Sequence, residues 1–226
     1  MKAKIIEKKE VAKGTMLFRY QLIDGDIYFI SGQSFFITLA NGLVHHFTVV
    51  NSPSEKGIFS MATRMRNSEF KNTLKDLPLG SEVEIDRISG EFILPNNTIK
   101  PLVFIALGIG ITPYVSMMRF IKEQKLDYKI TLIYSDSDKE SMAFLDEMES
   151  YTNENFKIIL TITKDPNWQG ERRHIDGQFI KDYFENPIDN IFYISGPPAA
   201  VDAVSKNLAD MGIDKSSIKT EDFFGY

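Results

Sequence analysis

Residues 102–113 read Leu-Val-Phe-Ile-Ala-Leu-Gly-Ile-Gly-Ile-Thr-Pro, an apolar run that leads into a glycine turn. The six residues before the turn carry no charge, which is typical of a strand buried on both faces of a parallel sheet. Gly108 and Gly110 allow a tight turn and the close approach of a ligand to the backbone. Thr112 is predicted to cap a helix, and Pro113 suits its first position because its missing N–H needs no partner there. The stretch predicts strand, turn and helix in immediate succession.

The turn itself follows the pattern G-x-G-x-x-P and not the G-x-G-x-x-G dinucleotide fingerprint, so taken alone it leaves two interpretations open. The free N–H groups and positive dipole end of the helix would favour a pyrophosphate, or the turn is merely a tight connection. A second turn, Ser195-Gly196-Pro197-Pro198, also joins an apolar strand to a helix. Ligands of parallel sheets bind at the edge where such turns lie. Two turns there make a dinucleotide cleft the favoured interpretation.

Strands and helices alternate through residues 98–226. The alternation predicts a parallel sheet with right-handed crossovers, a Rossmann-like nucleotide-binding domain. Strands are predicted at 102–107, 128–134, 156–163 and 190–195 and near 218, and helices at 113–123, 140–148, 178–184 and 199–211.

Residues 1–97 have a different pattern, with short aromatic and β-branched runs separated by turn residues. The predicted strands are 16–22, 34–40, 43–50, 57–63 and 81–89, and a single helix follows Ser68 and ends at Pro78. This pattern predicts an antiparallel β-barrel, for which we expect six strands. The polar stretch 94–98 is the predicted linker between the two domains.

The composition excludes several classes of protein. The formal net charge of −5 argues against nucleic-acid binding, which needs a concentrated basic face. The absence of Cys removes disulfides, zinc–thiolate sites and protein-held iron–sulfur clusters, and we expect no metal site. No apolar run approaches the ~20 residues of a membrane span, and no secretory signal is recognised, so we expect a cytoplasmic protein. An organic cofactor is therefore the expected source of any redox chemistry.

A third segment, residues 45–53, reads His-His-Phe-Thr-Val-Val-Asn-Ser-Pro. An aromatic ring followed by a hydroxyl suits a flavin, because the ring can stack and the hydroxyl can reach a polar edge of the flavin. Taken alone, the segment is better explained as a half-buried strand with Phe47 in the core.

Taken in this order, the segments resemble the ferredoxin–NADP reductase superfamily of flavoprotein reductases. The resemblance covers nearly the whole chain, and the ordered set is far more specific than any one piece. Its segments are Gly32-Gln33, Phe47-Thr48 with Asn51-Ser52-Pro53, Gly90-Glu91-Phe92, the turn 108–113, Ser195-Gly196-Pro197-Pro198, and the terminal Glu221-Asp222-Phe223-Phe224-Gly225-Tyr226.

The resemblance implies a role for each segment. Phe47 stacks on the isoalloxazine and Thr48 hydrogen-bonds near flavin N5, where hydride arrives. Glu221 orients the nicotinamide beside Ser195, and Phe223 covers the other flavin face. The remaining implied flavin ligands are His45, Asn51, Arg64, Met65, Arg66 and Ser68. Tyr226 would stack on the flavin adenine or on the nicotinamide side. The implied dinucleotide ligands are Gly108, Gly110, Thr112, Pro113, Gly196 and Pro197. The alternative for Phe223 and Tyr226 is a frayed tail.

Two positions depart from the family pattern. His45 stands where the family has Arg, which replaces a permanent bidentate phosphate donor with a ring that titrates near neutrality. Weaker flavin binding is therefore expected, and Arg64 or Arg66 would compensate. Ser195 stands where the family has Cys beside the nicotinamide, and it is similar in size.

The implied activity is hydride transfer from NADH or NADPH to bound FAD, with electrons passed on to a separate acceptor such as ferredoxin, flavodoxin or an oxygenase component. The acidic turn at Asp136 and Asp138 would repel a ribose 2′-phosphate and favours NADH, whereas Arg172 and Arg173 would favour NADPH. The alternatives are a reductase of free flavin and a non-catalytic nucleotide-binding electron-transfer subunit.

Overall fold

The computed structural model describes residues 1–25 and 27–224. Its contacts divide the chain into two compact units. The first unit combines Met1–Leu94 with Thr112–Gln124, and the second combines Pro95–Ile111 with Lys125–Tyr226. No helix among the described residues is both long and apolar enough to cross a bilayer.

The first unit contains a six-stranded antiparallel sheet, as predicted. Its strands lie in the order β4-β3-β6-β1-β2-β5. The chain beyond β4 approaches the other edge strand, because the Val50 N–H donates to the Ser60 carbonyl over 2.8 Å. The strands are β1 (Lys2–Ala12), β2 (Thr15–Leu22), β3 (Ser34–Thr38), β4 (Val44–Thr48), β5 (Ile58–Arg64) and β6 (Glu82–Ser89).

Strand β1 is the one that the sequence pattern did not identify. Ala3 and Ile5 are fully buried and alternate with exposed Lys2 and Lys4, as in a strand with one face on the core. β1 pairs with both β2 and β6 and so lies inside the sheet. Its many lysines and glutamates, which occupy the solvent face, conceal the apolar alternation.

Helix α1 (Glu69–Asp76) follows β5 and begins where predicted. Ser68 is its N-cap, and the Ser68 hydroxyl accepts a hydrogen bond from the Lys71 N–H over 3.3 Å. Phe70 and Leu74 lie on the buried face of the helix and join the core of the unit. This cap fixes the end of α1 that follows the basic residues Arg64 and Arg66.

The second unit contains a parallel sheet in the order β11-β10-β7-β8-β9, which confirms the predicted α/β domain. Strand β7, the predicted buried strand, lies in the middle and is buried along its whole length. The strands are β7 (Leu102–Leu107), β8 (Ile130–Asp136), β9 (Phe156–Ile162), β10 (Ile191–Gly196) and β11 (Ile218–Asp222). The helices of this unit are α3 (Leu145–Glu149), α4 (Gly177–Tyr183) and α5 (Pro198–Asp210).

Two local predictions were wrong. The predicted helix at 140–148 is a 3-10 turn, Lys139–Ser141, followed by the short α3. Phe144 separates them because its φ of 59° is left-handed and cannot continue a right-handed helix. Thr112 does not cap the next helix: a 3-10 turn, Gly108–Ile111, already precedes it, and Thr112 is the first helical residue.

Helix α2 (Thr112–Gln124) follows the glycine turn in sequence but packs within the first unit. Tyr114 lies against Phe92 at a ring-centroid distance of 5.8 Å. Met117 approaches Gly32 so closely that a β-carbon on Gly32 would lie 2.5 Å from its methyl group. Only glycine fits at position 32, which also has a φ of 95°.

Candidate functional site

Strand β4 presents an aromatic cluster on one face. The rings of His45 and Phe47, two residues apart, stack with centroids 4.8 Å apart and planes inclined by 20°. Phe70 of α1 packs against both, at 5.5 Å and 5.7 Å. Phe47 is only 4% exposed and Thr48 6%. Phe47 therefore contributes to the core, as the strand pattern alone suggested, and its stacking on a flavin stays a prediction.

The side chain of Asn51 forms hydrogen bonds within the protein. Asn51 is fully buried, its Nδ2 donates to the Ile58 carbonyl over 2.9 Å, and its Oδ1 accepts from the Ser60 N–H over 2.8 Å. These bonds join the end of the β4 segment to β5. They give Asn51 a structural role, and its direct contact with a flavin stays a prediction.

Positive charge gathers where α1 begins. Arg64 ends β5, Arg66 is exposed, and Met65 packs partly buried on the core. Lys71 is only 2% exposed, and burial together with the nearby positive charge of Arg66 lowers its pKa from 10.5 to about 8. Cations beside the positive end of a helix dipole favour an anion. Sequence reasoning missed Lys71, because a lysine in a short helix reads as a solvated residue.

The two glycine turns of the second unit interlock at the carboxyl edge of the sheet. A β-carbon on Gly110 would collide with the Ser195 carbonyl, and one on Gly196 would lie 2.6 Å from the Leu107 side chain. Gly196 has a φ of 152°, which disfavours other residues. Pro197 is the N-cap residue of α5, and Pro113 is the second residue of α2. The structure thus brings Gly110 and Gly196 together at this edge, and their contact with a nucleotide stays a prediction.

Ser195 and Glu221 lie side by side at this edge. Strand β11 pairs with β10 so that Ser195 is opposite Glu221, and the Phe223 N–H donates to the Gly196 carbonyl over 2.8 Å. Ser195 is fully buried, and its hydroxyl oxygen has no hydrogen-bond partner among the described residues. A buried hydroxyl without a partner is rare and is available to a ligand. Tyr226, also predicted to contact a cofactor, lies outside the described residues.

An acidic residue ends the neighbouring strand β8. Asp136 is 7% exposed, and its Oδ1 accepts the Ser137 N–H over 2.7 Å. Asp138 caps the following 3-10 turn through the Ser141 N–H, over 3.0 Å. A carboxylate at the end of the second strand is the group that receives the ribose 2′-hydroxyl in NAD-binding sites.

Arg173 is held by two carboxylates. Its Nη2 donates to Glu171 Oε2 over 2.7 Å, and its Nη1 donates to Asp182 Oδ2 over 2.6 Å. These hydrogen bonds are the main reason that the pKa of Glu171 falls to about 2, and they lower the pKa of Asp182 as well. Bidentate pairing of this kind fixes the guanidinium. Arg173 is therefore occupied within the second unit, whereas Arg172 is exposed.

The fold and the two turns define an NAD-binding oxidoreductase domain following an antiparallel sheet domain. Residues 104–206 match the family model of the oxidoreductase NAD-binding domain. The match covers somewhat less than half of the chain, and the solved structures described below share the fold of the whole chain.

Three of the similar proteins are named as reductases. One subunit of the Na(+)-translocating NADH-quinone reductase of Idiomarina loihiensis is 28% identical over 204 residues, which cover 81% of this chain and 49% of that protein. The ferredoxin NADP+ reductase of Neisseria gonorrhoeae, solved with bound FAD and NADP, is 20% identical with a TM-score of 0.83, and the match covers 99% and 98% of the two chains. An Amycolatopsis cytochrome P450 reductase is 20% identical with a TM-score of 0.84, covering 99% and 70%. The chain spans about half the length of curated relatives such as the Idiomarina protein.

Proposed function

We propose that this chain is an NAD(P)H-dependent flavoprotein reductase that transfers hydride to bound FAD and passes the electrons to a separate acceptor. The observation that carries the proposal is the edge formed by Gly110, Gly196, Ser195 and Glu221. Bare backbone from two turns meets there beside a buried hydroxyl and a carboxylate. The glycines let the two segments pack closely, and a nicotinamide ring would lie along this edge beside Ser195 and Glu221.

The nucleotide is bound by the second unit in this proposal. The backbone of the turn Gly108–Ile111 receives the pyrophosphate. Ser195 and Glu221 hydrogen-bond the nicotinamide end and orient it. Asp136 receives the adenosine ribose.

The first unit fits a flavin with a phosphate group. Arg64, Arg66 and Lys71, with the capped start of α1, supply cations for the phosphates. Thr48 ends β4 with a hydroxyl that can bond the flavin ring, and Phe47 with His45 forms an aromatic wall beside it. When bound, FAD supplies an acceptor that takes up hydride as a pair of electrons and releases them singly or together.

The residues of this chain act mainly by orientation. Hydride transfer needs the donor carbon and acceptor nitrogen about 3–3.5 Å apart, and holding them so removes several kcal/mol from the barrier. Glu221 and Ser195 would orient the nicotinamide, and Thr48 would hydrogen-bond the flavin edge that receives hydride. No proton transfer by a side chain is required for this step.

The electron acceptor is proposed to be a separate redox protein, such as a ferredoxin, a flavodoxin or an oxygenase component. The chain has no Cys and so cannot hold an iron–sulfur cluster through thiolates. A similar protein of known structure is a cytochrome P450 reductase, which serves an oxygenase.

A second candidate is a reductase of free flavin, in which the flavin binds and leaves as a substrate. The contact that favours it is the stacking of His45 on Phe47, since His45 supplies no permanent charge and covers part of the ring that a flavin would use. Loss of flavin on gel filtration, with full activity restored by added flavin, would support this candidate over tight FAD binding.

The test is to purify the protein, load it with FAD, and add NADH or NADPH without oxygen. Bleaching of the flavin absorbance is expected, and Glu221→Gln should slow the bleaching without preventing FAD binding. A matched control is Glu185→Gln, an exposed carboxylate of the same unit. An FAD spectrum that stays oxidised with both nucleotides would refute the proposal and favour a non-catalytic binding protein.

A further inference from the structure

Two side chains of α2 bind the backbone just beyond the flavin-binding strand β4. The Ser116 hydroxyl donates to the Asn51 carbonyl over 2.8 Å, and Arg119 Nη1 donates to the Val50 carbonyl over 3.1 Å. Ser116 and Asn51 are both fully buried. Buried hydrogen bonds of this kind are costly to break, because a bare carbonyl would remain in an apolar setting.

The same short segment is held on its other sides. The Val49 N–H donates to the Gln33 carbonyl over 2.9 Å, and the Val50 N–H donates to the Ser60 carbonyl over 2.8 Å. The Asn51 side chain bonds Ser60 as well. The backbone that continues from Thr48 is thus fixed both to the sheet and to α2, so that a shift of the helix must move the segment.

The contacts form a polar stripe along one face of α2. Ser116, Arg119 and Glu123 follow Thr112 at spacings of four, seven and eleven residues, which bring them to the same side of a helix. Glu123 accepts a hydrogen bond from the Ser52 hydroxyl and so continues the stripe. Apolar side chains would suffice to bury this face of the helix. Directional hydrogen bonds to single carbonyls do more, because they hold α2 in one position along the segment.

Helix α2 is continuous from Thr112 to Gln124, so both contacts belong to one rigid element. Ser116 and Arg119 lie about one helical turn apart on it. Within the first unit, α2 therefore holds the backbone that follows Thr48 at two adjacent carbonyls.

We propose that Ser116 and Arg119 are positioning residues for hydride transfer. They fix, within the first unit, the backbone that continues from Thr48, the residue proposed to bond the flavin edge that receives hydride. The inference rests on the proposed function, since it assigns these residues to the same reaction.

The experiment compares Ser116→Ala, Arg119→Gln and the double variant with the unaltered protein, all loaded with FAD. Stopped-flow measurement at saturating NADH gives the rate constant of flavin reduction, and deuterated NADH gives its isotope effect. We expect the rate constant to fall about 10- to 100-fold, because small misplacements have effects of this size. The dissociation constants of FAD and of NADH should stay within about threefold, since the two side chains bind protein backbone and are not among the proposed ligand contacts. The isotope effect should rise as hydride transfer becomes fully rate-limiting.

Two controls separate positioning from stability. Ser116→Thr keeps the hydroxyl and should restore most of the rate, and Gln124→Ala changes an exposed residue of the same helix and should have no effect. If Ser116→Ala does not fold, Arg119→Gln, at a partly exposed position, provides the test. Arg119→Lys keeps the charge and is the control for Arg119→Gln. Reduction at the normal rate in folded variants, whatever their melting temperature, would overturn the inference alone. Failure of the unaltered protein to be reduced would overturn the proposed function with it.

Discussion

Gly110 faces the backbone carbonyl of Ser195 so closely that a β-carbon at Gly110 would collide with it. The same β-carbon would lie 2.8 Å from the Gly196 nitrogen. Gly110 lies in the turn after β7, whereas Ser195 and Gly196 are the last two residues of β10, the parallel neighbour of β7. The turns therefore pack as one surface, and a change in either must displace the other.

The substitution Gly110→Ala tests this packing. We expect it to lower the free energy of unfolding by about 1–3 kcal/mol or more, because the added methyl meets rigid backbone. NADH affinity should fall with it, while FAD affinity, which depends on the first unit, should persist. Thermal melting and titrations with each ligand measure these effects. Gly212→Ala is the control, since its site is open and only its φ of 84° opposes a side chain. Equal NADH affinity in Gly110→Ala and the unaltered protein would contradict the role of the turn.

The sequence predicted this edge of the sheet well for a physical reason. A strand buried on both faces must be apolar throughout, and glycines must follow where two backbones approach closely. The fold of residues 102–113 can therefore be predicted from their own composition. Ser195 and Glu221 were placed by their family motifs, and the pairing of β10 with β11 sets them side by side. Local patterns sufficed because each element is defined by near neighbours in sequence.

The features that the sequence did not predict depend on distant partners. β1 is recognisable only when its alternate lysines are placed on a solvent face. Ser116 and Arg119 read as ordinary helix residues until their acceptors, Asn51 and Val50, are known. The burial of Lys71 likewise follows from the way α1 packs on the sheet and not from its neighbours in sequence. Sequence periodicity reports which face is apolar but not which backbone atom a polar side chain reaches.

The substitution His45→Arg should tighten the binding of FAD. Arg supplies a permanent, bidentate phosphate donor, and charge-assisted hydrogen bonds are worth about 1.5–3 kcal/mol, so an increase in affinity of about tenfold or more is expected. His45→Phe keeps the stacking on Phe47 without a donor and should not tighten binding. Fluorescence titration with FAD measures the affinity of each variant. Equal affinity in His45→Arg and the unaltered protein would remove residue 45 from the phosphate site.

Lys71 should make stability depend on pH in the flavin-free protein. Its pKa is lowered from 10.5 to about 8, so between these values the folded state loses its proton while the unfolded state keeps it. The unfolding free energy contributed by Lys71 therefore rises with pH from about 8 to 10.5, and the full penalty is present below pH 8. Lys71→Met removes this penalty, and at pH 7 it should stabilise the protein by on the order of 1–3 kcal/mol. Denaturant unfolding of both proteins at pH 7 and pH 10 measures this difference in the free energy of unfolding.

Lys75→Met is the matched control for Lys71, because Lys75 lies on the same helix and is exposed. Lys75→Met should change the free energy of unfolding only slightly, and by the same amount at pH 7 and pH 10. If the free energies of unfolding of Lys71→Met and of the unaltered protein differ by the same amount at pH 7 and pH 10, the lowered pKa of Lys71 is wrong.

We expect NADH to be a better hydride donor than NADPH, because of the charges of Asp136 and Arg173 in the second unit. A 2′-phosphate would approach the carboxylate of Asp136, and the arginine that would attract it, Arg173, is already paired with Glu171 and Asp182. The ratio of kcat/KM for NADH to that for NADPH should therefore exceed one and change little in Arg173→Ala. Asp136→Ser should lower the ratio by about tenfold or more, because it removes a charge at the ribose and leaves a hydroxyl. Arg172→Ala tests the exposed neighbour: an NADPH preference in the unaltered protein that disappears in this variant would show that Arg172, and not Asp136, decides the choice of nucleotide.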